Sequence, residues 1–127
     1  MVDTNILISA VLFPSSEPAR ALFHIAEEHQ MILCRQIIFE FKEVIRRKFS
    51  SKTEEVDSFF SNLRFELVDT GKNSVTRIRD SSDQPILNAA IWGKVDVILT
   101  GDKDFLCLDI PEISCVSVSE FSGKMDS

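Results

Sequence analysis

Short apolar runs separated by amphipathic stretches constrain this chain more than any other feature. Met31-Ile32-Leu33-Cys34 has no polar face, which suits a strand buried on both sides. Val95 to Leu99 and Ile113 to Val118 read as further strands, and Phe65-Glu66-Leu67-Val68 as one closing into the turn Asp69-Thr70-Gly71. Between them, apolar residues recur at helical spacing. Glu17 to Glu28 carries Ala21, Leu22, Ile25 and Ala26 on one face, and Gln36 to Phe49 carries Ile37, Phe41, Val44, Ile45 and Phe49. Lys52 to Leu63 is another such stretch, as is Asp83 to Trp92, where Pro85 is tolerated in the first turn. Ile6 to Phe13 is apolar except at Ser9 and is broken by Pro14-Ser15-Ser16, while Ser119-Glu120-Phe121 begins a closing helix. Strands alternating with helices require right-handed crossovers and a mostly parallel sheet covered on both faces. The expected fold is α/β: a three-layer α/β/α sandwich around a central, mostly parallel sheet of four to five strands.

The 127 residues suit one domain over 1–127, with no repeat or linker to divide them. No apolar run approaches the roughly 20 residues that span a bilayer, and the first residues lack a basic-then-apolar leader pattern. Cys34, Cys107 and Cys115 cannot all pair and show no Cys-x-x-Cys spacing, so a reduced, cytoplasmic setting without membrane is expected. With 20 acidic against 14 basic side chains, the net charge is −6. That balance argues against a module gripping nucleic acid by bulk positive charge. It leaves room for an enzyme acting on nucleic acid whose acids are neutralised locally by a metal.

The placement of those acids is therefore what matters. In an open parallel sheet, functional groups gather outside the carboxyl ends of the strands. Asp3 ends the first strand and Asp102 follows Val95 to Leu99; Asp83 opens a helix, with Asp80 three residues earlier. Glu40 sits one turn into the helix after Met31 to Cys34. Converging carboxylates raise one another's pKa, a penalty that a divalent cation removes. Oxygen ligands favour Mg²⁺ or Mn²⁺ over zinc, and such a site suits hydrolysis of a phosphodiester by in-line attack of water. Taken singly, Asp83 also fits a helix-capping acid, Glu40 a solvated one, and Asp102 and Asp104 turn acids.

The joint pattern resembles the PIN domain family of metal-dependent nucleases. Asp3-Thr4-Asn5-Ile6-Leu7-Ile8-Ser9 is similar to the family's opening motif. Glu40-Phe41-Lys42-Glu43-Val44-Ile45-Arg46-Arg47 is similar to its helical-glutamate segment. Arg79-Asp80-Ser81-Ser82-Asp83-Gln84-Pro85-Ile86-Leu87 and Thr100-Gly101-Asp102-Lys103-Asp104-Phe105-Leu106 match the third and fourth acidic blocks. The resemblance implies that Asp3, Glu40, Asp83 and Asp102 are the catalytic acids, with Asp3, Asp83 and Asp102 holding the metal. It makes Asp80 and Asp104 auxiliary acids, and Asn5 and Thr100 residues that shape the pocket by hydrogen bonds. Glu43, one turn along, is a rival to Glu40. The resemblance is strongest to the VapC-like toxins of bacterial toxin–antitoxin pairs. It implies an endoribonuclease using Mg²⁺ or Mn²⁺, with RNA as substrate, an antitoxin protein as partner, and homodimers. Members of the family carry a few more apolar residues before the opening motif. Here Met1 and Val2 alone precede Asp3, so either the start lies upstream or the central strand is trimmed.

Arg46-Arg47-Lys48, with Lys42 nearby, is the densest positive cluster; it suits phosphate steering or a solvated helix end. His24 and His29, five apart in a helical stretch, are expected to face different directions, which disfavours zinc. The ten phenylalanines fall mainly at core positions. Two other classes stay open: a catalytically weak PIN-fold protein that binds nucleic acid or a partner, and a Mg²⁺-binding receiver or phosphatase domain. The receiver needs a late-loop Lys that is missing near Pro111, and the phosphatase needs Asp-x-Asp where position 5 is Asn.

Overall fold

A computed structural model describes residues 1–68, 84–108 and 110–125, with side chains to 123. Asp80 and Asp83 lie outside the described residues. In chain order the elements are α1 (Thr4–Leu12), α2 (Glu17–Glu28), β1 (Ile32–Cys34), α3 (Arg35–Lys48), α4 (Thr53–Asn62), β2 (Glu66–Val68), α5 (Gln84–Trp92), β3 (Val97–Leu99), α6 (Lys103–Leu106), β4 (Ser114–Val116) and α7 (Val118–Met125). A 3-10 turn at Ser50–Lys52 precedes α4. Local chemistry sets several of these ends. Ser16 accepts the Ala19 amide at 3.3 Å and caps α2, with Pro18 in the first turn where its missing N–H costs nothing. The end of α5 closes with Val95 N–H on Ala90 O at 3.0 Å, and Lys94 takes a left-handed φ of 55°. Gly93 sits closely there: a Cβ would meet a Val68 methyl at 3.2 Å and Ala89 O at 3.1 Å, so a neighbour would have to give by a few tenths of an ångström.

The expected single sheet is corrected by the strand pairing. The α/β/α arrangement holds, but the four described strands form two separate parallel pairs, β1–β2 and β3–β4, rather than one continuous sheet of four to five strands. Ile32 pairs with Glu66 and Cys34 with Val68; Val97 pairs with Ser114 and Leu99 with Val116. The reason lies between them. Met1 and Val2 supply one bridge, Val2 to Leu99, through Leu99 N–H on Met1 O (2.8 Å) and Asp3 N–H on Leu99 O (3.0 Å). That bridge does not extend into a ladder, and among the described residues no strand pairing joins this segment to β1.

The helices still cover both pairs. Leu7, Leu22, Leu33, Ile37, Phe41, Leu87, Ile98, Leu99 and Phe105 are fully buried in one apolar cluster. On α3, Ile37, Phe41 and Ile45 form the inward stripe. Phe60 packs edge-on against Phe41, Phe59 and Phe65. Not every phenylalanine is core: Phe13, Phe23 and Phe39 are exposed. The histidine expectation is also corrected. Because α2 stops at Glu28 and His29 turns into extended backbone, the rings of His24 and His29 meet at 5.6 Å and both pack against Phe121 of α7. Among the described residues, no single helix is long and apolar enough to cross a membrane.

Candidate active site at the carboxyl ends of the strands

Asp3 is the residue around which the rim is built. Its backbone is fixed by Leu99 O, which places it beside the residues that leave β3. It stands at the N-cap of α1, where an aspartate ordinarily bonds the amide two or three residues on. Here it makes no such cap. One carboxylate oxygen instead accepts the Thr100 hydroxyl at 2.9 Å, in a fully buried contact. The Thr100 hydroxyl in turn accepts the Asp102 amide at 3.0 Å. Thr100 therefore ties the two acids that end neighbouring chain segments. Asp102 caps α6 by accepting the Asp104 amide at 2.8 Å.

Glu40 reaches the same rim from α3. Side chains on a helix lean toward its N-terminus, so a residue in the second turn of α3 projects back over the carboxyl end of β1. There Glu40 accepts the Thr4 hydroxyl at 3.1 Å on one oxygen and the Gln36 amide at 2.9 Å on the other. Glu43, its rival, is taken by Arg46 at 3.1 Å in an exposed pair. Arg46 lowers the Glu43 carboxyl by hydrogen bond and charge.

Electrostatics mark Asp3 as the strained member. Its carboxyl is held above the ordinary aspartate range, chiefly by burial and further by the neighbouring Asp102 and Glu40 carboxylates; the Thr100 and Thr4 hydrogen bonds oppose this. Carboxylate oxygens are the kind of donor that a hard divalent cation takes. Among the described residues, no group of three His, Cys, Asp or Glu side chains converges closely enough to hold one. The expected third acid, Asp83, and its neighbour Asp80 lie outside the described residues.

Of the other expected site residues, Thr100 is central and Asp104 stands at the start of α6. Asn5 is exposed on the first turn of α1, and among the described residues no hydrogen bond joins it to the acids. Arg46, Arg47 and Lys48 form the exposed last turn of α3, where cations complement the helix dipole. Thr4 and Gln36 had no assigned part in the sequence. The four-residue step from Gln36 to Glu40 on one helix face was the available signal. A cleft of about 360 Å³ lies at the opposite ends of the strands, near His29, Glu66, Lys94 and Asp96. None of the site acids lines it.

No match is found among curated proteins. The fold is similar to that in the crystal structure of VapBC2 from Rickettsia felis bound to a DNA fragment from their promoter. The TM-score is 0.71 at 18% identity, over 92% of this chain and 96% of that one. The PIN domain model matches residues 1–104, a span that takes in the acids of all four motifs, from Asp3 to Asp104. The chain belongs to the PIN domain family.

Proposed function

We propose that the protein is a divalent-metal-dependent endoribonuclease, acting as one domain over 1–127 and serving as the toxin of a toxin–antitoxin pair. The observation that carries this is the buried Asp3 carboxylate held by the Thr100 hydroxyl, which also accepts the Asp102 amide and so brings the two acids to one rim. Family membership and the fold likeness to VapBC2 support it.

Asp3 and Asp102, with Asp83, would hold Mg²⁺ or Mn²⁺, and Asp80 and Asp104 would stand behind them. When bound, the cation supplies charge stabilisation at a phosphate oxygen and a more acidic attacking water. Thr100 keeps Asp3 and Asp102 in one orientation through its two hydrogen bonds. Glu40, whose oxygens each keep a lone pair beside the bonds from Thr4 and Gln36, would orient the attacking water. Hydrolysis adds that water to phosphorus, breaks the bond to the leaving oxygen and passes the proton to it. Arg47 and Lys48, with Arg46, would steer the RNA backbone without reading sequence. Asn5, exposed beside Asp3, would shape the substrate side of the rim. An antitoxin segment would cover this negative rim, and a homodimer is expected from the family.

Cleavage of RNA in Mn²⁺ by wild type and Asp102→Asn tests the assignment. The variant is expected to lose activity by a factor on the order of 10²–10³, the size of removing one electrostatic group from a reacting centre. Equal activity in both would discard the site.

A further inference from the structure

Three aromatic side chains on helices stand exposed among the described residues: Phe23, Phe39 and Trp92. A lone apolar side chain on a surface is ordinary. Phe39, 63% exposed, differs in its neighbours, because Arg35 lies four residues before it and Lys42 three after. Arg46 continues the series four residues on, so all four share one side of α3, turned away from Ile37, Phe41 and Ile45. Each of the four is exposed, and together they cover about 16 Å of helix. Arg46 is held by Glu43 at 3.1 Å, but both side chains are open to solvent. An exposed pair of this kind is weak enough to give way to a phosphate. In a chain of net charge −6 this stripe is a local reversal of sign. It begins where α3 leaves β1, at the end from which Glu40 reaches the rim.

We propose that this face of α3 docks single-stranded RNA, with Lys42 and Arg46, beside Arg35, on phosphates and Phe39 stacked on a base. Cations that track a backbone, with an aromatic ring on which a base lies, are the chemistry of single-strand binding. A second copy of the chain fits less well, since a two-fold contact would set the stripe against itself and oppose like charges. The choice of RNA rests on the ribonuclease reading; the docking itself needs neither a metal nor cleavage.

Fluorescence anisotropy of a labelled oligoadenylate RNA, titrated with the full chain in EDTA, tests it. Phe39→Ala should weaken binding by about 10-fold or more, with the slope of affinity against salt unchanged. Phe39→Leu should lose as much, because it keeps apolar bulk without a flat face, and Phe39→Trp should retain affinity. Lys42→Ala should weaken binding and lower the salt slope by about one. Wild-type affinity in Phe39→Ala or Phe39→Leu overturns the stacking surface, and so does tighter binding of the matching DNA strand. A dimer lost in Phe39→Ala on sedimentation, with RNA affinity unchanged, overturns it in favour of a contact between copies. Melting temperatures of the Phe39 variants should match wild type, since the ring is exposed. Should Phe39→Ala fail to fold, Phe39→Leu and the salt slope of Lys42→Ala decide. RNA binding of this kind without Mn²⁺-dependent cleavage would sink the ribonuclease assignment and leave the docking surface. Cleavage by a protein whose RNA affinity ignores Phe39 and Lys42 would do the reverse.

Discussion

The two flanks of the segment Met1 to Asp3 are built by different means. On the β3 flank, backbone hydrogen bonds set Asp3 against Leu99, and the buried Thr100 hydroxyl locks Asp3 to Asp102. On the β1 flank no ladder among the described residues reaches across, and Glu40 is joined to the segment through the Thr4 side chain. Backbone ladders fix position with little dependence on side-chain identity, whereas a side-chain link lasts only as long as its donor. The geometry of the first pair therefore follows from the fold, and that of the third acid from two polar residues.

The largest effect expected from breaking the β3 flank is that of Thr100→Val. It removes a buried hydroxyl and leaves Asp3 and the Asp102 amide without their shared partner. Thermal unfolding should show a loss of about 1–3 kcal/mol, and Mn²⁺ affinity should fall by about 10–100-fold. A pH series sharpens the comparison next. Asp3 holds its proton in the folded protein at a pH where the unfolded chain has released it. Keeping it ionised therefore costs stability above the raised pKa, and the cost is relieved as pH falls through that value. In EDTA, wild type should gain stability relative to Asp3→Asn as the solution is acidified from neutrality. A difference that stays flat with pH would show that Asp3 is not destabilised by its surroundings. The smallest effect belongs to Arg46→Ala. Its pair with Glu43 is exposed, and exposed pairs contribute little. Melting temperature and Mn²⁺ affinity should not move, and any change should appear only in the salt dependence of RNA binding.

What was legible in the sequence follows the same division. Asp3 and Asp102 stood out because each interrupts or ends an apolar run, and the structure brings both to one rim beside Thr100. The alternation of strands and helices was equally plain. Periodicity identifies strands but not the ladders between them, so the split into two strand pairs could not be read. It depends on backbone hydrogen bonds between segments distant in the chain, such as the isolated bridge of Val2 to Leu99. Likewise, helical spacing sends His24 and His29 apart only if the helix continues. It ends at Glu28, and the next residue folds back. Phe39, two positions from both Ile37 and Phe41 on α3, lies on the face opposite their stripe and is exposed, so helical spacing rather than aromatic composition decides which phenylalanines are core. Gln36 was missed because a glutamine near an acid carries no charge signature; its bond to Glu40 depends on the rotamer.

A cluster of carboxylates that tolerates burial only with a cation must trade stability against metal. Melting temperatures of wild type and Asp3→Asn, each in EDTA and in saturating Mn²⁺, test this directly. Without metal, the variant should melt at or above wild type, because it removes a crowded buried charge. With Mn²⁺, wild type should rise by the linkage of ligand to the folded state while the variant stays in place, inverting their order. If Mn²⁺ moves neither melting temperature, or moves both equally, the acids at this rim do not form a cation site.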